Sequence, residues 1–334
     1  QTTLLFIFNS KMAQRSKKVV LFLMGLFFID YILFQLLFSA CILFKNEDYA
    51  TSLHHPNSDI LFLGASHAKE GFDPREIQKH LNVSSYNVSG PSHNPLFLEY
   101  QTKTILTRKQ LPKLAVITIT PDTINDYAKP HSLGAFVPEG ERSRASQLFL
   151  SYRKFDSFRH IFLTDLYSSS LRIVFSRTLS WLKNRSFEVT MPHSSTKGYT
   201  ERHHQLKAGE EPNPINLLNF HSNPSMLQGL KNCISLWREK DIPVLIVDTP
   251  EFYGTRIARH QYSFYEDLMN DLANTEGVTF VSFNNLEYSE LKNEKLFRDG
   301  GWGIPNSHLN HNGTLWFNKL FCQYLKESSL IKLP

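Results

Sequence analysis

Two residues far apart in this sequence have the chemistry of a nucleophile and its base. Ser66 lies in Asp59-Ile60-Leu61-Phe62-Leu63-Gly64-Ala65-Ser66-His67, and His308 lies in Asn306-Ser307-His308-Leu309-Asn310-His311-Asn312-Gly313. A serine hydroxyl attacks a carbonyl only when a base takes its proton, and imidazole is the side chain that does so near neutral pH. The two together make a candidate nucleophile and its general base. The first run by itself is also the ordinary start of any strand-turn-helix unit, with Ser66 as nothing more than a helix cap. The distant histidine is what makes it a candidate site.

The elements around these residues must bring them together. Ile60 to Leu63 is a short apolar run without alternation, which predicts a fully buried strand, and Gly64-Ala65 leaves room for a tight bend before Ser66. Asp73 and Pro74 read as the cap and first residue of a helix running to about Leu81. A second strand at Ser85 to Val88 leads into Ser89-Gly90, a helix follows from about Pro95 to Leu106, and a third strand at Leu114 to Ile119 ends at Thr120-Pro121-Asp122. Such alternation predicts a parallel sheet with crossover helices, and right-handed crossovers bring the strand ends to one edge. Ser66, Gly90 and Asp122 are therefore expected as neighbours there.

The alternation fails over about 126–225, which reads as an insertion covering the sheet edge, with a helix from Leu163 to Leu182. It resumes with a helix over 219–240, a strand at 242–247 ending at Asp248-Thr249-Pro250, a helix at 262–274, a strand at 278–283 and a closing helix at 315–326. The expected fold class is α/β, a three-layer α/β/α domain over 59–330 around a central, mostly parallel sheet.

The chain has 334 residues and a formal charge of +5, with no basic stripe interleaved with aromatics, so nucleic acid is not an expected partner. Its three cysteines, Cys41, Cys233 and Cys322, show neither metal spacing nor a disulfide framework. Val19 to Phe44 is almost wholly apolar, longer than the roughly 20 residues a membrane helix needs, and Lys11, Arg15, Lys17 and Lys18 precede it. This predicts a cytoplasmic tail over 1–18, one transmembrane helix over 19–44, a linker over 45–58 and a domain on the outer side of the membrane. Phe38-Ser39-Ala40-Cys41 loosely resembles a lipoprotein cleavage site, although the apolar run continues through Phe44. Asp30, the one charge in the run, is expected to meet a partner helix or a water-filled cavity.

The order of these parts resembles the SGNH or GDSL hydrolases. Gly64-Ala65-Ser66 stands where the family's first block lies, Ser89-Gly90 at its second, and Ser307-His308-Leu309-Asn310-His311-Asn312-Gly313 at its last. The resemblance covers most of 59–330 and is nearest to the membrane-anchored branch associated with O-acetylation or alanylation of cell-envelope polysaccharides. It implies Ser66 as nucleophile, His308 as general base, and the amides of Ser66 and Gly90 as oxyanion donors. The implied partners are an acylated glycan and a membrane-bound O-acyltransferase, with no cofactor.

Three positions depart from the family pattern. Ala65 stands where an aspartate is usual, Thr120-Pro121-Asp122 replaces Gly-x-Asn after the third strand, and Pro305 stands three residues before the histidine in place of an acid. Asn306, His67 and Asp122 are the candidates for orienting the imidazole or contacting substrate. His308 and His311 at three-residue spacing, with His67 and His93 on other loops, have the ligand type for a metal, and without nearby acids none is expected. The rival in a different class is a non-catalytic accessory that keeps the fold and binds glycan or an acyltransferase.

Overall fold

The computed structural model describes residues 16–33, 56–91, 93–124, 195–206, 221–253, 262–284, 287–298 and 308–332. The chain divides into two compact units, 1–46 with 132–189 and 47–131 with 190–334. In the first, 16–33 is a helix whose apolar side chains, from Val19 to Leu33, are largely exposed, while Asp30 is buried. No helix among the described residues is long and apolar enough to cross a membrane. Residues 34–44 of the expected anchor and Leu163 to Leu182 of the expected insertion helix lie outside the described residues.

The second unit is built on five strands, β1 (Ile60–Gly64), β2 (Ser85–Asn87), β3 (Leu114–Thr118), β4 (Val244–Asp248) and β5 (Thr279–Ser282). They form one parallel sheet in the order β2-β1-β3-β4-β5. Among the described residues seven α-helices accompany them: α1 (Ser66–Gly71), α2 (Pro74–Leu81), α3 (Pro95–Ile105), α4 (Pro121–Ile124), α5 (Pro224–Arg238), α6 (Tyr262–Glu276) and α7 (His311–Ser328). Because β1 pairs with β2 on one side and β3 on the other, the chain reverses its direction of travel across the sheet at β1. In open parallel sheets, side chains at the carboxyl end of such a switch point are left uncovered by crossover helices. Ser66 leaves the sheet at that point.

β1, β3 and β4 are buried on both faces, which explains their unbroken apolar runs. Ile60, Phe62, Leu114, Val116, Leu245 and Val247 face one layer, where they pack with Phe72, Ile77, Phe317 and Phe321 from around α2 and α7. Phe72 is central there, stacked on Phe62 at 4.3 Å and edge-on to Phe321 at 5.0 Å between ring centroids. The opposite layer is α3, α5 and α6. α5 lies close enough to α3 that a Cβ on Gly229 would sit 3.0 Å from the Leu96 amide, so the pair needs glycine at that crossing. Cys233 and Cys322 are both buried free thiols, on α5 and α7.

α2 and α3 start where the sequence reading puts them, whereas α5 starts at Pro224, later than the expected 219, and all three are capped alike. Asp73, Asn94 and Asn223 each accept a backbone N–H in the first turn, and each is followed by proline. α7 begins earlier than its apolar periodicity suggests: Asn310 is its cap, accepting from Gly313 N, and the helix runs from His311. The segment 195–206, within the stretch read as an insertion, is built into the second unit. Tyr199 is fully buried, Asn87 N donates to Lys197 O, and Thr200 N donates to Lys69 O.

Candidate active site

The site grows from two short segments. β1 ends at Gly64, whose φ of 147° and lack of a side chain are both required, since a Cβ there would lie 2.9 Å from the Thr118 carbonyl oxygen and from the Ala68 Cβ. Ala65 then caps the six-residue helix α1 in an extended conformation, and Ser66 is its first residue. A helix this short cannot hold itself together by its own ladder. Buried side chains from elsewhere do it: Asn87 Nδ2 donates to Ala68 O (2.8 Å) and Phe72 O (3.0 Å), Asn318 Nδ2 to Gly71 O (2.7 Å), and Thr314 Oγ1 to Glu70 O (2.7 Å).

His308 sits on the other segment. Leu309 forms an antiparallel bridge with Phe297, flanked by Arg298 N donating to His308 O and Asn310 N donating to Leu296 O, both at 3.0 Å. The Asn310 amide also donates to Lys295 O and Phe297 O. One charge cluster joins the two segments. Glu70 on α1 is paired with Arg298 at 2.8 Å and Arg202 at 3.2 Å. Burial raises the Glu70 pKa while the two arginines pull it down, and burial prevails.

These supports bring Ser66 Oγ to 2.6 Å from His308 Nε2, across 242 positions of sequence. If Nε2 accepts the hydroxyl proton, the ring carries its own hydrogen on Nδ1. That is the contact a general base needs. His67, the next residue on α1, lies with its ring stacked on His308, 4.0 Å between centroids and 24° between planes. Behind it, His67 Nε2 is 3.6 Å from Glu251 Oε1, and the Glu251 side chain is wholly buried.

The remaining expected residues are placed variously. Gly90 lies at the same edge, but its N–H donates to Gly64 O at 3.2 Å, extending the ladder between the two loops. An engaged amide is a poorer oxyanion donor than one aimed at the reacting carbonyl. Asp122 is exposed on α4, and Asn306 lies outside the described residues. His93 is buried against Phe97, and His311 is 3.6 Å from Glu201. Among the described residues no group of three His, Cys, Asp or Glu side chains is arranged to hold a metal ion.

Glu251 is the residue the sequence reading missed. It follows Asp248-Thr249-Pro250 at the end of β4 and so belongs to the same edge as Ser66, but nothing local marks a lone glutamate as buried. Its backbone N–H donates to Asn284 Oδ1 at 2.7 Å. Asn284 Nδ2 in turn donates to Asp248 Oδ2 and to Thr249 O, both at 2.8 Å. Asp248 Oδ2 also accepts from Ser282 Oγ at 2.9 Å and from the Tyr262 hydroxyl.

Burial pushes the Asp248 carboxyl up to about 6, against the opposing pull of these donors. Its native pKa therefore lies above the unfolded value, the native state binds the extra proton, and stability falls as pH rises from about 4 to about 6. A shift of this size corresponds to on the order of 2–3 kcal/mol. Asp248→Asn is expected to flatten that slope, as read from urea midpoints at intervals across the window. A slope equal to that of the native chain would show the carboxyl to be ionised throughout.

The sequence matches no described protein family and no curated protein. Among solved structures the chain is similar to a protein of the G-D-S-L lipolytic family from Desulfitobacterium hafniense DCB-2, at 8% identity and a TM-score of 0.35, over 79% of this chain and 97% of that one.

Proposed function

We propose that the chain is a serine esterase or acyltransferase that works through an acyl-serine on Ser66, with His308 as general base. The observation that carries this is the 2.6 Å contact between Ser66 Oγ and His308 Nε2 at the switch point of a parallel sheet. In the first step the Oγ–H proton passes to His308 while Oγ bonds to the acyl carbon. The Ser66 amide, first of α1, is the proposed donor to the resulting oxyanion. The ester C–O bond then breaks and His308 gives its proton to the departing alcohol; water or a sugar hydroxyl next gives a proton to His308 as it bonds to the acyl carbon, and His308 passes that proton to Ser66 Oγ as the acyl-serine bond breaks.

The proposed substrate is an acyl ester, most simply acetyl, of an envelope polysaccharide, and the proposed setting is the outer face of a membrane spanned by 19–44. The exposed apolar side chains of the helix over 16–33 and the preceding Lys17 and Lys18 support the anchor. The glycan and a membrane-bound O-acyltransferase partner rest on the motif resemblance alone. The engaged Gly90 amide favours a second reading, a non-catalytic accessory that binds glycan on this fold. Exposure of the full chain to a fluorophosphonate probe separates the two: labelling of the native chain and not of Ser66→Ala supports the enzyme, and labelling of neither supports the accessory.

A further inference from the structure

We propose that Glu251 and His67 supply the charge that the acid of a Ser-His-acid triad would otherwise supply, the Glu251 carboxylate acting through the stacked His67 ring to stabilise His308 when it becomes an imidazolium. This rests on the acyl-transfer reading of Ser66 and His308. When the Ser66 Oγ–H bond breaks, its proton goes to His308 Nε2, the oxygen lone pair forms the bond to the acyl carbon, and the carbonyl π pair moves onto its oxygen. One positive charge has then appeared on His308. In this half-buried site, backed by the buried His67 and Glu251, that charge is costly unless a negative group lies near.

The geometry meets this need from an unusual direction. The position three residues before His308 holds Pro305, which has no charge to offer. His67 lies face to face with His308 at 4.0 Å, and its Nε2 is 3.6 Å from Glu251. That separation is longer than a hydrogen bond, and with the His67 ring neutral the carboxylate is the net charge that His308 meets. The carboxylate is thus one ring removed from the base, in surroundings with almost no water, since His67 is 8% exposed and Glu251 is 0% exposed. Screening there is weak, and a charge acts over a longer range than it would at the surface.

Both groups are held in place. His67 is on α1, whose carbonyls are tied down by Asn87, Asn318 and Thr314. The Glu251 backbone is held by Asn284, which is fixed in turn by Asp248 and Thr249, and its side chain is wholly buried. The ionisable groups around these elements include Lys69 and Glu70 on α1, Asp248 at the end of β4, Tyr262, whose ionisation Glu251 opposes, Arg298 opposite His308, and His311 on α7. Glu70 is occupied by Arg298 and Arg202, and Asp248 by Tyr262, Ser282 and Asn284. Glu251 is the carboxylate in ion-pair contact with the stacked pair. Glu251 and His67 are positioning residues: neither has to touch the substrate.

The test is a histidine-resolved NMR titration of the full chain, native, Glu251→Gln and His67→Phe. Glutamine keeps the shape of residue 251 without its charge, and phenylalanine keeps the stack without a nitrogen to face the carboxylate. In either variant the His308 midpoint is expected to move to lower pH by about half a unit or more. The double variant is expected to move no further than the single ones, because both break the same link. On an acetyl ester each variant is expected to lose about ten- to a hundred-fold in kcat with KM within about two-fold, a loss carried by the transition state.

If Glu251→Gln does not fold, His67→Phe alone decides the matter. An unchanged His308 midpoint in a chain that labels at Ser66 overturns this proposal alone, because packing would then explain the stack. A chain that shows the shift and never labels at Ser66 overturns the catalytic role together with the acyl-transfer reading.

Discussion

Ser66→Ala is expected to abolish fluorophosphonate labelling and to lower kcat on an acetyl ester by on the order of 10⁴-fold or more, with His308→Ala close behind. The reason is that Ser66 and His308 act as one unit through the 2.6 Å contact, so removing either leaves the other without a task. The double variant is accordingly expected to be no slower than the worse single one. Loss of the Oγ atom costs little stability, because Ser66 is half-buried and the rest of α1 is fastened by other side chains. The thermal midpoint should therefore stay near that of the native chain. Native and alanine forms hydrolysing the ester at the same rate would remove Ser66 from the chemistry altogether.

Gly313→Ala is expected to have the largest effect on structure. A Cβ at that position would lie 2.0 Å from the Leu296 carbonyl oxygen and 2.9 Å from Leu309 Cδ2. No rotamer relieves a clash with backbone, so α7 and the 294–298 segment must separate. Such overpacking costs about 3 kcal/mol or more when the neighbours cannot yield. The separation also pulls on His308, whose carbonyl is bonded to Arg298 N in the same bridge. A displacement of about 1 Å at a reacting pair can cost about 10²-fold in rate. Activity measured at a temperature where the variant is still folded should thus fall further than the unfolded fraction explains.

Gly71→Ala is the control for that variant. A Cβ there would meet Thr249 Cγ2 at 3.7 Å, an ordinary contact, and the change should cost less than about 1 kcal/mol. Urea unfolding of both variants checks the pair of expectations. Equal midpoints for the two would mean that the turn before α7 yields freely.

What the sequence determined by itself was everything with a local period or a local punctuation mark. The strands at 60–64, 114–118 and 244–248 are legible because a strand buried on both faces must be apolar at every position. The starts of α2 and α3 are legible because Asp-Pro and Asn-Pro satisfy orphan amides and preset φ, and the Asn223-Pro224 pair that starts α5 is the same signal, passed over in a helix expected from 219. Ser66 and His308 could be picked out because their side-chain chemistry is informative wherever they fall.

Only the tertiary structure decided the rest. α1 exists because Asn87, Thr314 and Asn318 reach its carbonyls from distant parts of the chain, and no periodicity in Ser66 to Gly71 announces that. α7 begins at His311 because Asn310 caps it while also bonding Lys295 O and Phe297 O, a double duty invisible in the helix's apolar spacing. Glycine is needed at 198 because a Cβ there would lie 1.8 Å from Asn87 O, a constraint set by a segment more than a hundred residues away. Glu251 gained its place beside His67 in the same way. Hydrogen bonds and ion pairs between remote segments have no period, so they leave no trace in a sequence until the chain has closed on itself.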